Sequence, residues 1–217
     1  MVHDFHTHTF LSDGVLSPLE LIRRAYYQEY QTIAVTDHVG LSNQTEILKV
    51  LLEECKYASE EWGIKAIPGV EITHVPKKLI GDAAKRARDL GAQIVIVHGE
   101  TLVEPVEPGT NLQAVKSKEV DILAHPGLIT EEEALFALEN KVYLEISARK
   151  GHSLTNGHVA RLAFKTGANI ILDSDAHEPQ DLLTLSLAEK IARGAGLSKD
   201  QISVVIKENP LQLSRHL

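Results

Sequence analysis

Val2-His3-Asp4-Phe5-His6-Thr7-His8-Thr9, followed by Ser12-Asp13-Gly14, opens the chain, and its reading decides how the rest is read. Val2–Phe5 is a short run of strand type. His6 and His8 then stand two residues apart, and in extended backbone that spacing puts both imidazoles on one face, with Thr7 turned away. Two histidines on one side of a strand end can grip one metal ion. The same device recurs downstream, where almost every later strand end carries a His, Asp or Glu.

Working outward, short β-branched runs alternate with amphipathic helical stretches. The later strands are expected at Thr32–Thr36, Lys65–Val70 (interrupted by Pro68-Gly69), Gln93–Val97, Val120–Ala124, Val142–Ile146 and Asn169–Asp173. Helices are expected from about Pro18 behind a Ser17 N-cap, from near Asn43 to Trp62, from Pro76 to Leu90, behind Thr130 to Glu139, and over Leu154–Thr166. A helical region from about Pro179, with a second short helix after Ser198, covers the bottom. The longer connection Gly99–Lys118 is a candidate lid or rim.

Seven βα units joined by short links make a parallel sheet. The residues that follow the strands are His6 and His8, Asp37-His38, Glu71, His98, His125, and Asp175 with His177. In an open sheet these would be strung along a line roughly tens of ångströms long. In a closed barrel they converge on one face, the face where active sites are built. The ligand pattern therefore argues for closure, in one α/β domain over residues 1–217. Six histidines and three carboxylates (Asp13, Glu71, Asp175) are more than one ion needs, and they suit two or three. Mixed imidazole and carboxylate ligands without thiolates favour Zn, Mn or Fe.

Composition narrows the partners. At 217 residues, with 43% apolar and 24% charged residues, the chain can bury a core of its own. Its net charge of −8 argues against a nucleic-acid duplex as partner. No apolar run approaches the ~18 residues of a membrane span, and the start lacks the pattern of a secretory signal. The single cysteine, Cys55, sits on the apolar face of the second helix and is expected to pack in the core. A reducing, cytoplasmic setting is the expectation. Nothing in the sequence indicates an oligomeric state.

Several motifs together carry a family resemblance: His6-Thr-His8 with Ser12-Asp13-Gly14, Thr36-Asp37-His38, Gly69-Val70-Glu71, Val97-His98-Gly99, Ala124-His125-Pro126 and Asp173-Ser-Asp175-Ala-His177. In this order they resemble the PHP (polymerase and histidinol phosphatase) superfamily in its stand-alone phosphoesterase form. The resemblance implies a distorted (β/α)7 barrel, TIM-like, with a trinuclear metal site. Carried over by motif, His6, His8, Glu71 and Asp175 bind the first ion, and Glu71 bridges to a second completed by His98 and His125. His38, His177 and Asp13 hold the third, and Asp37 orients a ligand from behind.

The expected reaction is hydrolysis of a small phosphomonoester by a metal-activated hydroxide, with histidinol phosphate ranked first. Glu71, Asp175, Asp13 and His177 are the candidate catalytic residues, the last two standing near the proton donor to the leaving alcohol. The sixth strand ends without a metal ligand, in Ser147-Ala148-Arg149-Lys150. If the chain stays extended there, Arg149 points inward to grip phosphate and Lys150 points away. Arg149, Lys150 and His152 are the candidate substrate contacts. Two rivals remain. A metal-dependent amidohydrolase barrel also opens with His-x-His but usually supplies a bridging lysine, which these strand ends lack. A non-catalytic metal-bound accessory module would be expected to have lost ligands, whereas this chain keeps a full set.

Overall fold

The computed structural model describes residues 2–217; Met1, the first residue of the expected domain, lies outside the described residues. The chain runs β1 (Val2–Asp4), α1 (Pro18–Tyr27), β2 (Tyr30–Val35), β3 (His38–Val39), α2 (Gln44–Trp62), β4 (Lys65–Ile72) and α3 (Ile80–Asp89). It continues through β5 (Ile94–His98), α4 (Thr110–Lys116), β6 (Ile122–Ala124), α5 (Glu131–Asn140), β7 (Tyr143–Ser147), α6 (Asn156–Thr166) and β8 (Ile170–Asp173). Three further helices, α7 (Leu185–Gly194), α8 (Lys199–Ser203) and α9 (Asn209–His216), complete it. The caps follow their chemistry. Ser17 Oγ accepts from Glu20 N, and Thr130 and Glu133 form a reciprocal capping box.

Among the described residues, seven strands lie in the order β1-β2-β4-β5-β6-β7-β8, every neighbouring pair parallel. This is a nearly closed, distorted (β/α)7 barrel in a single domain. One difference from the sequence reading lies at the third strand. Pro68-Gly69 does not interrupt β4, which runs on to Ile72 and pairs there with the two-residue β3. A Cβ at Gly69 would lie 2.3 Å from Ile94 Cγ2, so the glycine is where β5 approaches closely. The extension places Glu71 inside a strand, with its backbone N–H donating to Asp37 O at 3.1 Å.

Two apolar layers result. Phe5, Ala34, Ile67, Ile94, Ile96, Ile122, Tyr143 and Ile171 fill the barrel, and Leu213 of α9 closes its lower end. The outer layer packs the helices on the strands and includes Cys55, whose thiol is pushed up by burial and plays a packing role.

Closure between β1 and β8 is made differently from the other seams. The two strands are joined through side chains: Phe5 N donates to Asp173 Oδ1 at 2.7 Å, and Ser174 N donates to Asp4 Oδ1 at 3.0 Å. Ladder geometry resumes only above them, at the Thr7–Ala176 bridge, where His8 N donates to Ala176 O at 2.8 Å. Both aspartates are fully buried. Burial pushes Asp4 up to about 6, and burial with the neighbouring Asp4 and Glu145 raises Asp173 well above the usual carboxylate range.

This seam fixes where His6, His8, Asp175 and His177 stand relative to one another, so it carries a stability test. Asp173→Ala leaves the Phe5 N–H buried without an acceptor and should cost about 1–3 kcal/mol in denaturant unfolding of the chelator-treated chain. Asp173→Asn keeps the acceptor and should cost less. An alanine variant as stable as its parent would mean that the seam does not depend on this carboxyl.

Candidate active site

The site stands at the C-terminal ends of the strands, around a cleft of about 340 Å³ lined by Asp13, His38, His98, Glu104, Arg149 and His177 among others. Its centre is Glu71. This carboxylate is fully buried, yet Oε2 lies 2.7 Å from His38 Nδ1, 3.4 Å from His6 Nε2 and 3.6 Å from His8 Nε2, while Oε1 lies 3.6 Å from His125 Nε2. Oε2 thus faces three imidazoles and Oε1 a fourth, that of His125. Asp175 repeats the pattern: Oδ1 is 3.3 Å from His8 Nε2, and Oδ2 is 3.7 Å from both His125 and His152.

The electrostatics follow from this ring. Burial opposes ionisation of Glu71, but His6, His38 and His125 override it and hold the carboxyl well below its usual range. Asp175 is likewise held low against burial, by His6, His8 and His125. Burial and the neighbouring His38 press His8 down to about 3, and burial with His125 presses His152 down to about 4. His6 and His38 go the other way. Burial opposes their charge, but the carboxylates beside them win, and His38 is raised to about 10.

Behind the cluster, each turn has a holder. His6 Nδ1 pairs with Glu145 Oε2 at 2.6 Å, which leaves Nε2 aimed at the centre. Asp37 accepts from Thr9 N and Thr9 Oγ1, both at 2.8 Å, and from Ser12 Oγ at 2.7 Å. It therefore orients the turn that carries Asp13 and, among the described residues, makes no contact of this kind with a histidine ring. A Cβ at Gly14 would lie 2.5 Å from His8 O, so the turn can fold back over the histidine pair. Asp13 then reaches His177 Nε2 at 3.1 Å and His38 Nε2 at 3.5 Å. His125 and Asp175 have φ of 28° and 54°, left-handed values that non-glycine residues adopt only at a cost. Strain of this kind is held where the surrounding structure over-determines it.

All nine side chains expected as metal ligands converge here. Ligand atoms of His8, Asp13, His38 and His177 lie within 4.8 Å of one another, as do those of His6, His8 and Asp175, those of His6, Glu71 and His125, and those of His98 and His125 with His152. The fit to cations shows in the buried atoms that lack a hydrogen-bonding partner of acceptable geometry: His6 Nε2, both ring nitrogens of His8, and both oxygens of Glu71. Native interiors seldom leave such groups unpaired. Carboxylates and imidazoles open inward are a donor set for divalent ions, which would take the place of the protons that His6 and His38 hold beside Glu71.

Of the expected substrate contacts, Arg149 and His152 line the cleft. Arg149 Nη1 donates to Asp175 O at 3.2 Å and its Nε lies 3.8 Å from Asp175 Oδ2. Lys150 is exposed and lines a separate depression with Gln180 and Asp181. The remaining histidines are mostly accounted for elsewhere. His3 pairs with Thr32 Oγ1 at 3.0 Å and His158 with Ile129 O at 2.7 Å, whereas His74 is exposed at the cleft wall.

Four residues carry site geometry that sequence reasoning did not assign: Asp4, Asp173, Glu145 and Glu104. The first three left a signal, since each is an acid set among apolar strand residues. Glu104 left none, because an acid in a loop is ordinary. Its carboxylate nonetheless lies 2.9 Å from His98 Nε2 and 3.5 Å from His152 Nε2, and hydrogen bonding to His98 lowers it to about 2.

Comparison with known proteins agrees with this geometry. The PHP domain matches residues 4–186. The chain is 46% identical over 222 residues to an uncharacterized protein of Methanocaldococcus jannaschii, with 100% of both chains covered. It is 29% identical over 226 residues to a protein of Thermoanaerobacter sp. (strain X514) named "Probable phosphatase", spanning 93% of this chain and 89% of the relative. Histidinol phosphate phosphatase of Lactococcus lactis, solved with zinc, L-histidinol and phosphate, superposes with a TM-score of 0.63 at 14% identity, covering 91% of this chain and 94% of that one. That last likeness is one of fold.

The cluster generates a test by metal content. Glu71→Gln keeps the size and removes the charge that faces His6, His8 and His38 through one oxygen and His125 through the other, so bound metal should fall on both sides of it together. Asp13→Asn, at the edge of one set, should lose one ion and leave the others. Elemental analysis of protein purified without chelator checks both. A Glu71→Gln chain with the parent's metal content would show that this carboxylate holds no ion.

Proposed function

The chain belongs to the PHP domain family of metal-dependent phosphoesterases, and on that premise we propose that it hydrolyses a small phosphomonoester, histidinol phosphate being the first candidate. The observation that carries the reading is the guanidinium of Arg149, set against Asp175 and His177 at the rim of the imidazole–carboxylate cluster. A planar cation with fixed donors matches phosphate oxygens, and it sits where the cluster offers oxygen-seeking positions. The cleft volume suits a small molecule. The net charge of −8 disfavours a polyanionic duplex.

In this reading His6, His8, Glu71 and Asp175 hold a first divalent ion, Glu71 with His98 and His125 a second, and Asp13 with His38 and His177 a third, the ions being Zn, Mn or Fe. Bound ions of this kind lower the pKa of water toward neutrality and neutralise phosphoryl charge. The chain's own groups do the rest. Glu71 fixes the spacing of two positions because it is shared between them. Glu145 holds the His6 ring in one tautomer, with Nε2 free. Arg149 takes a non-bridging phosphate oxygen in ground state and transition state alike. Asp13 and His177 bracket the opening, where they position the group that protonates the departing alcohol.

Two measurements test this. Metal-replete protein should turn over an aryl phosphomonoester faster than the bis-aryl diester, and a screen of small phosphorylated metabolites should then rank histidinol phosphate against sugar and nucleotide monoesters. Diester or amide turnover without monoester turnover would overturn the reading. Arg149→Ala should mainly raise KM, lowering kcat/KM by about ten- to hundred-fold, the equivalent of a charge-assisted hydrogen bond. Lys150→Ala, at an exposed position outside the cleft, should cost far less. Steady-state kinetics that leave Arg149→Ala indistinguishable from the parent would return Arg149 to the solvated rim.

A further inference from the structure

The connection between β5 and α4 is clipped at its base. Glu100 Oε1 accepts from Gly109 N at 2.9 Å and Asn111 N at 3.0 Å, while Glu100 N donates to Asn111 Oδ1 at 2.9 Å. Between these clips the loop makes a narrow tip, with Leu102 and Val103 exposed. From the same tip, Thr101 and Glu104 both turn inward onto one residue, His152. Thr101 Oγ1 lies 2.7 Å from His152 Nδ1, and a Glu104 oxygen lies 3.5 Å from His152 Nε2.

His152 is buried although it follows a strand with no expected ligand. Its ring stacks on that of His125 with centroids 4.0 Å apart. Ligand atoms of His98, His125 and His152 all lie within 4.8 Å of one another. His98 Nδ1 lies 3.1 Å from Gly99 O, a carbonyl that can only accept, so this ring too presents Nε2 inward. A ring nitrogen occupied from behind and the other aimed at a shared point is how metal-bound histidines are held. The carboxylate of Glu104 faces Nε2 of two of these three rings.

We propose that His152 is a further ligand of the ion held by His98 and His125, and that Glu104, delivered by the 99–109 loop, is the carboxylate that closes this position from the solvent side. The proposal rests on the metal-dependent reading above but not on which phosphoester is cleaved. It changes the role of His152 from substrate contact to metal ligand. It also ties the placing of the loop to occupancy of the position, since Thr101 and Glu104 act on it together.

The test reads metal without substrate. His152→Gln, purified beside the parent, should lose one ion's worth of metal by elemental analysis. In cobalt-substituted protein it should change the visible absorption, which reports ligand number and type. Thr101→Val and Glu104→Gln leave the strand ends untouched, so they remain informative if His152→Gln fails to fold. Each should release the same ion to a competing chelator about tenfold faster. Full metal content, an unchanged cobalt spectrum and unchanged chelator resistance in these variants would overturn the proposal, and a raised KM alone in His152→Gln would return the residue to substrate contact. Failure of phosphomonoester turnover with these metal effects intact would count against the reaction, not against the ligand assignment.

Discussion

A carboxylate buried to zero exposure, held well below its usual range, and without a hydrogen-bond donor of good geometry among the described residues is the constraint on which the molecule turns. Glu71 is in that state. Removing a charge from water costs several kcal/mol, and an unpaired one is not tolerated in an interior. The imidazoles of His6, His8, His38 and His125 surround it at 2.7–3.6 Å. These rings come from the loop after β1, from β3, and from the residue that follows β6. The barrel must therefore close, because only closure brings those strand ends within reach of one carboxylate. The rings that hold Glu71 low are themselves raised by it, as His6 and His38 are, while burial and His38 press His8 down, so the cluster carries protons where a cation would sit.

The seam between β1 and β8 shows what such a site demands of the fold. Elsewhere the strands pair by ordinary ladders, but here the Asp4 and Asp173 carboxyls supply the acceptors. Past these links the two chain segments pair directly, through Thr7 and Ala176. His6 and His8 lie on one side of the seam and Asp175 and His177 on the other, so it runs beneath the cluster. Two acids whose burial raises their proton affinity are a cost to stability, accepted where the site is anchored.

Much of this was legible in the sequence, for an identifiable reason. His-x-His after a strand, an acid or histidine after nearly every later strand, and the α/β alternation all point to convergence, and the nine expected ligands do converge. The caps at Ser17 and Thr130 were legible because capping is local chemistry. What could not be read is what depends on long-range placement. Pro68-Gly69 looks like a break in isolation, yet β4 runs through it because the glycine lets β5 come close. Glu145 reads as an odd acid in an apolar strand until His6, 139 residues earlier, is found beside it. Asp37 adjoins a histidine in sequence but spends its hydrogen bonds on the turn before it. Glu104 had no signal at all, since only the loop's fold turns it inward.

The sharing of Glu71 between metal positions is a proposal that one experiment can decide. Anomalous diffraction at the absorption edge of the metal that the protein carries on purification tests it most directly. A shared Glu71 requires separate peaks on either side of its carboxylate, one against His6, His8 and Asp175 and another against His98 and His125. A single peak, or peaks that leave Glu71 uncoordinated, would contradict it.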